Sequence, residues 1–165
     1  MTISVSEFLD PRTHGFVRVA VAVPRNRIAD PAFNAGETIA LYQEAQADGA
    51  MVVAFPELGL SAYTCDDLFH QAALLDGCEA ALARVMAASE RTGALAIVGL
   101  PLRVDHRLYN VAAAVAGGRL LAVWPKTYLP NYGDFYEARQ FSAGTTALAT
   151  EIDLCGQRVP FGADV

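Results

Sequence analysis

A carboxylate and an ammonium in this chain each follow directly on an apolar run and a proline. In "VVAFPELGLSAYTCDD", residues 52–67, four apolar residues and Pro56 lead to Glu57. In "LLAVWPK", residues 120–126, an equally apolar run and Pro125 lead to Lys126. Apolar neighbours desolvate a carboxylate and should raise its pKa, the direction that a general acid or base needs near neutrality. If the two strand ends meet in space, Glu57 and Lys126 form a carboxylate–ammonium pair that could move a proton and stabilise an oxyanion. The plainer reading is a glutamate capping a turn, or a structural ion pair. The residues alone leave both open.

The stretch after the lysine, "TYLPNYGDFYEARQF", holds Tyr128, Tyr132, Phe135, Tyr136, Glu137 and Phe141 without helical or strand periodicity. Long structured loops often carry function, although aromatics on them also serve as core. Glu137 supplies a second acid near Lys126. The cysteines, Cys65, Cys78 and Cys155, lack CxxC spacing, so neither zinc nor a disulfide framework is expected. Cys65 lies eight residues past Glu57, but no histidine stands at a spacing that would activate it. His14, His70 and His106 are scattered. Neither GxGxxG nor GxxxxGK occurs, so no nucleotide site is expected in this chain.

The elements that must position these groups read as follows. "GFVRVAVAVP" is apolar at nearly every position and predicts a strand buried on both faces. Asp30-Pro31 is a helix start, with a cap and a proline at the first helical position; the helix should run to about Asp48 and close at Gly49. "AMVVAF" predicts a second buried strand. Residues 66–93 predict a short helix and a longer one, with Leu82, Val85 and Met86 on one face. "ALAIVGLPL" is a third strand. "RLYNVAAAVAGGRLLAVWPK" is a hairpin turning at Gly117-Gly118, and "LATEIDLCGQRVPFG" is another turning at Cys155-Gly156. This order predicts an α/β fold with a mixed sheet and helices packed outside it.

Composition agrees with one largely buried domain over the 165 residues. The chain is 53% hydrophobic and 18% charged, below the usual share of about 25% charged. A net charge of −6 without a basic stripe argues against nucleic acid. The N-terminal residues show neither the basic start nor the unbroken apolar run of a leader, and no stretch reads as a membrane helix. A cytoplasmic protein with reduced thiols is expected. The last residues, "VPFGADV", stop at Val165 directly after an apolar segment, and the chain is expected to be a piece cut from something longer.

Taken together the junctions resemble the carbon–nitrogen hydrolase (nitrilase) superfamily. Phe55-Pro56-Glu57 matches its F-P-E pattern, Pro125-Lys126-Thr127-Tyr128-Leu129-Pro130 its P-K-x-x-L-P segment, and Phe135-Tyr136-Glu137 its F-x-E pattern. "HGFVRVAV", "FPELGLSAYTCDDL", "VGLPLRVDHRLYN" and "PKTYLPNYGDFYEARQF" resemble the N-terminal glutaminase domain of bacterial glutamine-dependent NAD synthetases. The resemblance implies a nitrilase-like αββα sandwich, incomplete here, with residues 1–165 as the N-terminal portion of the glutaminase domain. It implies Glu57 as general base and acid, Lys126 as oxyanion stabiliser and Glu137 as the lysine's support. Tyr63, Tyr132 and Phe135 match positions that shape the glutamine pocket. Ammonia released from glutamine would pass to a C-terminal synthetase domain, absent here, where ATP and magnesium are implied; no cofactor is expected in this chain.

The family's nucleophilic cysteine lies downstream in an acidic context that none of the three cysteines matches. The chain alone is therefore expected to be inactive. An incomplete sandwich should expose apolar sheet, so a homo-oligomer, aggregation or a covering partner is expected. A stand-alone amidase on another amide, or a non-catalytic remnant packed on a partner, remain the alternatives.

Overall fold

The computed structural model describes residues 4–165, with no account of the side chains at 6 and 7. The first three residues of the segment read above as lacking a leader lie outside the described residues. A five-stranded mixed sheet, β1-β2-β3-β4-β5, forms the centre. β1 (Val19–Val21), β2 (Val52–Ala54) and β3 (Leu95–Val104) are parallel, whereas β4 (Arg107–Ala116) and β5 (Arg119–Pro125) continue antiparallel. The crossovers carry α2 (Pro31–Ala47) and α3 (Ala72–Ser89), which pack on each other, with α3 also against β3, β4 and β5. A short α1 (Val5–Leu9) precedes the sheet, and α4 (Glu137–Gln140) sits in the long connection after β5. A separate hairpin, β6 (Glu151–Leu154) and β7 (Gln157–Pro160), closes beside β5, where Phe161 bridges Val123 and meets Tyr109 edge-on.

Local chemistry sets these boundaries as expected. The Asp30 side chain accepts from the Phe33 N–H at 3.1 Å, and Pro31 opens α2. Gly49, at φ +83°, follows its end. Leu82, Val85 and Met86 are all buried on α3. Gly117 and Gly118 both adopt positive φ between β4 and β5, and so do Cys155 and Gly156 between β6 and β7. A third tight turn, between β3 and β4, is made by Asp105 and His106, also at positive φ. It carries no glycine, which is why the sequence does not announce it.

One expectation is corrected. β1 is not buried on both faces: it is an edge strand of three residues, with Val19 63% and Val21 82% exposed. Strand register explains the asymmetry. Ala20, Val53, Ala96 and Val98 lie toward the helices, with Val53, Ala96 and Val98 fully covered; Val19, Val21, Val52, Ala54 and Ile97 face the other way. Among the described residues no helix or strand layer covers that second face along β1 and β2. The result is an α/β half-sandwich: helices on one side, an open apolar sheet on the other.

Candidate active site

The two proline junctions end side by side. β2 and β5 are not neighbours in the sheet, but the chain past β2 leans over β3. The Phe55 N–H donates to Ile97 O at 2.9 Å, and the Leu60 N–H to Gly99 O at 3.0 Å. Between these bonds residues 56–59 turn across the open face. A Cβ at Gly99 would stand 2.5 Å from Leu58 N and 2.8 Å from Pro56 O, so this close approach requires glycine. Leu58 and Ala62 hold positive φ without being glycines, a conformation that costs free energy and persists only where surroundings enforce it. One enforcer is the buried Asn34 on α2, whose Nδ2 donates to Leu60 O at 3.2 Å.

Lys126 bridges two carboxylates. Its Nζ lies 2.6 Å from Glu57 Oε1, 3.0 Å from Glu137 Oε1 and 2.9 Å from Glu137 Oε2. Burial works to lower the lysine's pKa, but hydrogen bonds and attraction from Glu57 and Glu137 outweigh it and raise the value. Lys126 thus stays an ammonium at neutral pH and serves as a fixed positive charge rather than a base. Glu137, 6% exposed on the first turn of α4, also accepts from the Tyr63 hydroxyl at 2.6 Å. Burial first, and then the neighbouring Glu137 carboxylate, push the Tyr63 pKa up, so the phenol remains a donor.

The apolar approach to Glu57 does not bury it. Its side chain is 39% exposed and stands at the edge of a concavity on the open face, lined by Phe55, Ile97, Gly99, Asn110, Trp124 and Lys126. Tyr63, Phe135 and Glu137 line a second pocket of about 160 Å³, together with Leu58, Phe69 and Phe141. The three charged residues therefore stand between two recesses, one open and one aromatic. Tyr132 is not brought in: it is 72% exposed, packs edge-on against Phe135 and lines neither recess.

Two residues escaped the sequence reading. Asn110, 3% exposed on β4, donates through Nδ2 to Glu57 Oε1. Its signal was a lone amide inside an otherwise apolar strand. Gln140 lines the aromatic pocket; its Oε1 accepts from His70 Nε2 at 2.7 Å, and its buried Nε2 has no partner among the described residues. Further ties join the same two segments, Tyr136 to Asp66 at 2.6 Å and Arg139 to Asp67 at 3.2 Å.

None of the cysteines lines either recess. Burial raises the Cys65 thiol, pushes Cys78 up to about 12 and Cys155 up to about 11, the reverse of what a nucleophile needs. Among the described residues no three metal-ligating side chains cluster, and no helix is long and apolar enough to cross a membrane.

Residues 18–159 match the model of the carbon–nitrogen hydrolase family. The chain is 41% identical over 158 residues to a glutamine-dependent NAD(+) synthetase of Mycobacterium tuberculosis, covering 96% of this chain and 23% of the relative. It is 38% identical over 159 residues to the Mycobacterium leprae protein of the same name, with the same coverage. The chain thus spans about a quarter of the length of the curated relatives it matches. Its fold superposes on a glutamine-dependent NAD(+) synthetase from Cytophaga hutchinsonii with a TM-score of 0.81 at 25% identity, covering 88% of this chain and 25% of that one. An amidase from Nesterenkonia sp. shares the fold at a TM-score of 0.66 and 21% identity, covering 87% of this chain and 54% of that one.

Proposed function

The chain belongs to the carbon–nitrogen hydrolase family, and on that premise we propose that it is part of the amide-hydrolysing half of a glutamine-dependent NAD synthetase. The observation that carries the reading is the cluster of Glu57, Lys126 and Glu137 where two strand ends meet. The curated relatives' shared name supports glutamine as the amide.

In this reading Glu57, the exposed carboxylate, takes the proton of an attacking thiol and returns it to the departing ammonia. Lys126, held as a cation, stabilises the oxyanion that forms on the amide oxygen. Glu137 keeps the ammonium in place and balances its charge. Tyr63 and Phe135 wall the aromatic recess that would receive glutamine. Tyr132 would have to swing inward to join them.

The thiol would come from a cysteine outside the described residues. The isolated chain is accordingly proposed to be inactive. Ammonia would pass to a synthetase part that uses ATP and magnesium to amidate nicotinic acid adenine dinucleotide. Both ligands are assigned to that part and none to this chain. A cytoplasmic location and a homo-oligomer that covers the open sheet complete the proposal.

The test is to express the uninterrupted reading frame and follow ammonia release from glutamine together with NAD formation. Both should occur, and Glu57→Gln should abolish the first while NAD formation from added ammonium salt persists. Hydrolysis of another amide without NAD formation would favour a stand-alone amidase. Neither activity would favour a non-catalytic chain that packs on a partner.

A further inference from the structure

We propose that Asn110 is a positioning residue that fixes which oxygen of Glu57 exchanges the proton; the inference rests on the reading of Glu57 as the base. A primary amide buried in an apolar strand is costly unless it is hydrogen-bonded. Asn110 has Tyr109 and Val111 on either side and is itself 3% exposed. Its Nδ2 donates to Glu57 Oε1, the same oxygen that accepts from Lys126 Nζ. Its main-chain oxygen accepts from the Lys126 N–H at 2.8 Å. One residue therefore sets the place of both charged groups, Glu57 through its side chain and Lys126 through its backbone.

Two donors occupy Glu57 Oε1. Among the described residues nothing donates to Oε2. The carboxylate stands at the open concavity that Asn110 also lines. Lys126 cannot make this selection unaided. An ammonium on a flexible four-carbon stem can approach either oxygen, or shift toward Glu137. The last torsion of a glutamate is broad and roughly two-fold, so a carboxylate held by one mobile cation can turn over. The planar amide on β4 removes that freedom. It leaves Oε2 as the oxygen with a lone pair free to take a proton.

The experiment compares the wild type with Asn110→Ala and Asn110→Leu in the complete protein. Asn110→Leu keeps the side-chain volume and has no donor, so it reports even if the alanine variant fails to fold. The expected result is a fall in kcat of tenfold or more, with KM within twofold, because a misplaced base affects the chemical step rather than binding. Crystal structures of the variants should show the Glu57 carboxylate turned, or Lys126 on its other oxygen. If kcat stays within twofold and Glu57 has not moved, the proposal is overturned, and so it is if only the melting temperature falls. If the wild type releases no ammonia from glutamine, the glutaminase reading fails, and the position of Glu57 in the variant structures alone decides the role of Asn110.

Discussion

Glu57 and Glu137 bind the same ammonium, yet their surroundings differ. Glu57 comes off the end of a strand, faces an open concavity at 39% exposure and keeps one oxygen without a donor. Glu137 opens a short helix within a long connection, is 6% exposed, and is held by Tyr63 as well as Lys126. A carboxylate that must give and take protons needs access. One that only anchors a cation is better held away from water, where the attraction is stronger. On the proposed reading the pair divides the work: the exposed acid would react and the buried one would hold.

The sharpest way to break this division is Glu57→Gln. In the complete protein it should lower glutamine hydrolysis by about 100-fold or more, the usual worth of a general base. Chemical denaturation should place its stability within about 1 kcal/mol of wild type, since exposed ion pairs contribute little. A large loss of stability would make Glu57 the anchor and undo the comparison.

Lys126→Met tests the opposite property. It leaves the buried Glu137 without its cation and should lower the unfolding free energy by about 3 kcal/mol, read from the urea midpoint. Tyr63→Phe removes one donor from Glu137 and should cost about 1–2 kcal/mol in the same measurement. If it costs nothing, the buried acid does not depend on its second partner.

The smallest effect concerns pH. Because the folded state raises the Lys126 pKa, the contribution of the ammonium is fully present below its ordinary value of 10.5 and is lost as pH rises through the higher folded value. The stability gap between wild type and Lys126→Met should therefore stay constant to about pH 10.5 and narrow above it. A gap that closes on the acid side instead would locate the effect in the carboxylates.

Much of this division could be read from the sequence, because proline junctions and turn glycines act locally. Pro56, Pro125, Asp30 and the Gly117-Gly118 pair each constrain their neighbours whatever the rest of the fold does. The two junctions offered Glu57 and Lys126 as a pair if their strand ends met, the stretch after Lys126 offered Glu137 as a second acid, and the family pattern added the roles. The misses were non-local. A valine-rich, largely apolar segment cannot say which face will find a cover, so the outward-facing Val19 and Val21 read as core. Asn110 looked like any residue of "RLYN" until β4 placed its amide beside a carboxylate more than fifty positions away. Tyr132 matched a family position, but a pattern match does not fix the direction of a side chain on a loop. The apolar approach predicts a buried Glu57, whereas the turn over β3 carries it out to the rim of the open face.

Gly99 turns that last point into something a genetic selection could read. The turn bearing Glu57 rests backbone to backbone on β3, with no side chain between to yield. A library randomised at position 99 of the complete gene, in cells that must make NAD from glutamine, should therefore return glycine almost alone. Randomising Gly93, where a Cβ would meet nothing within 4 Å, should return many residues. The contrast would map the rigid part of the site from survival counts.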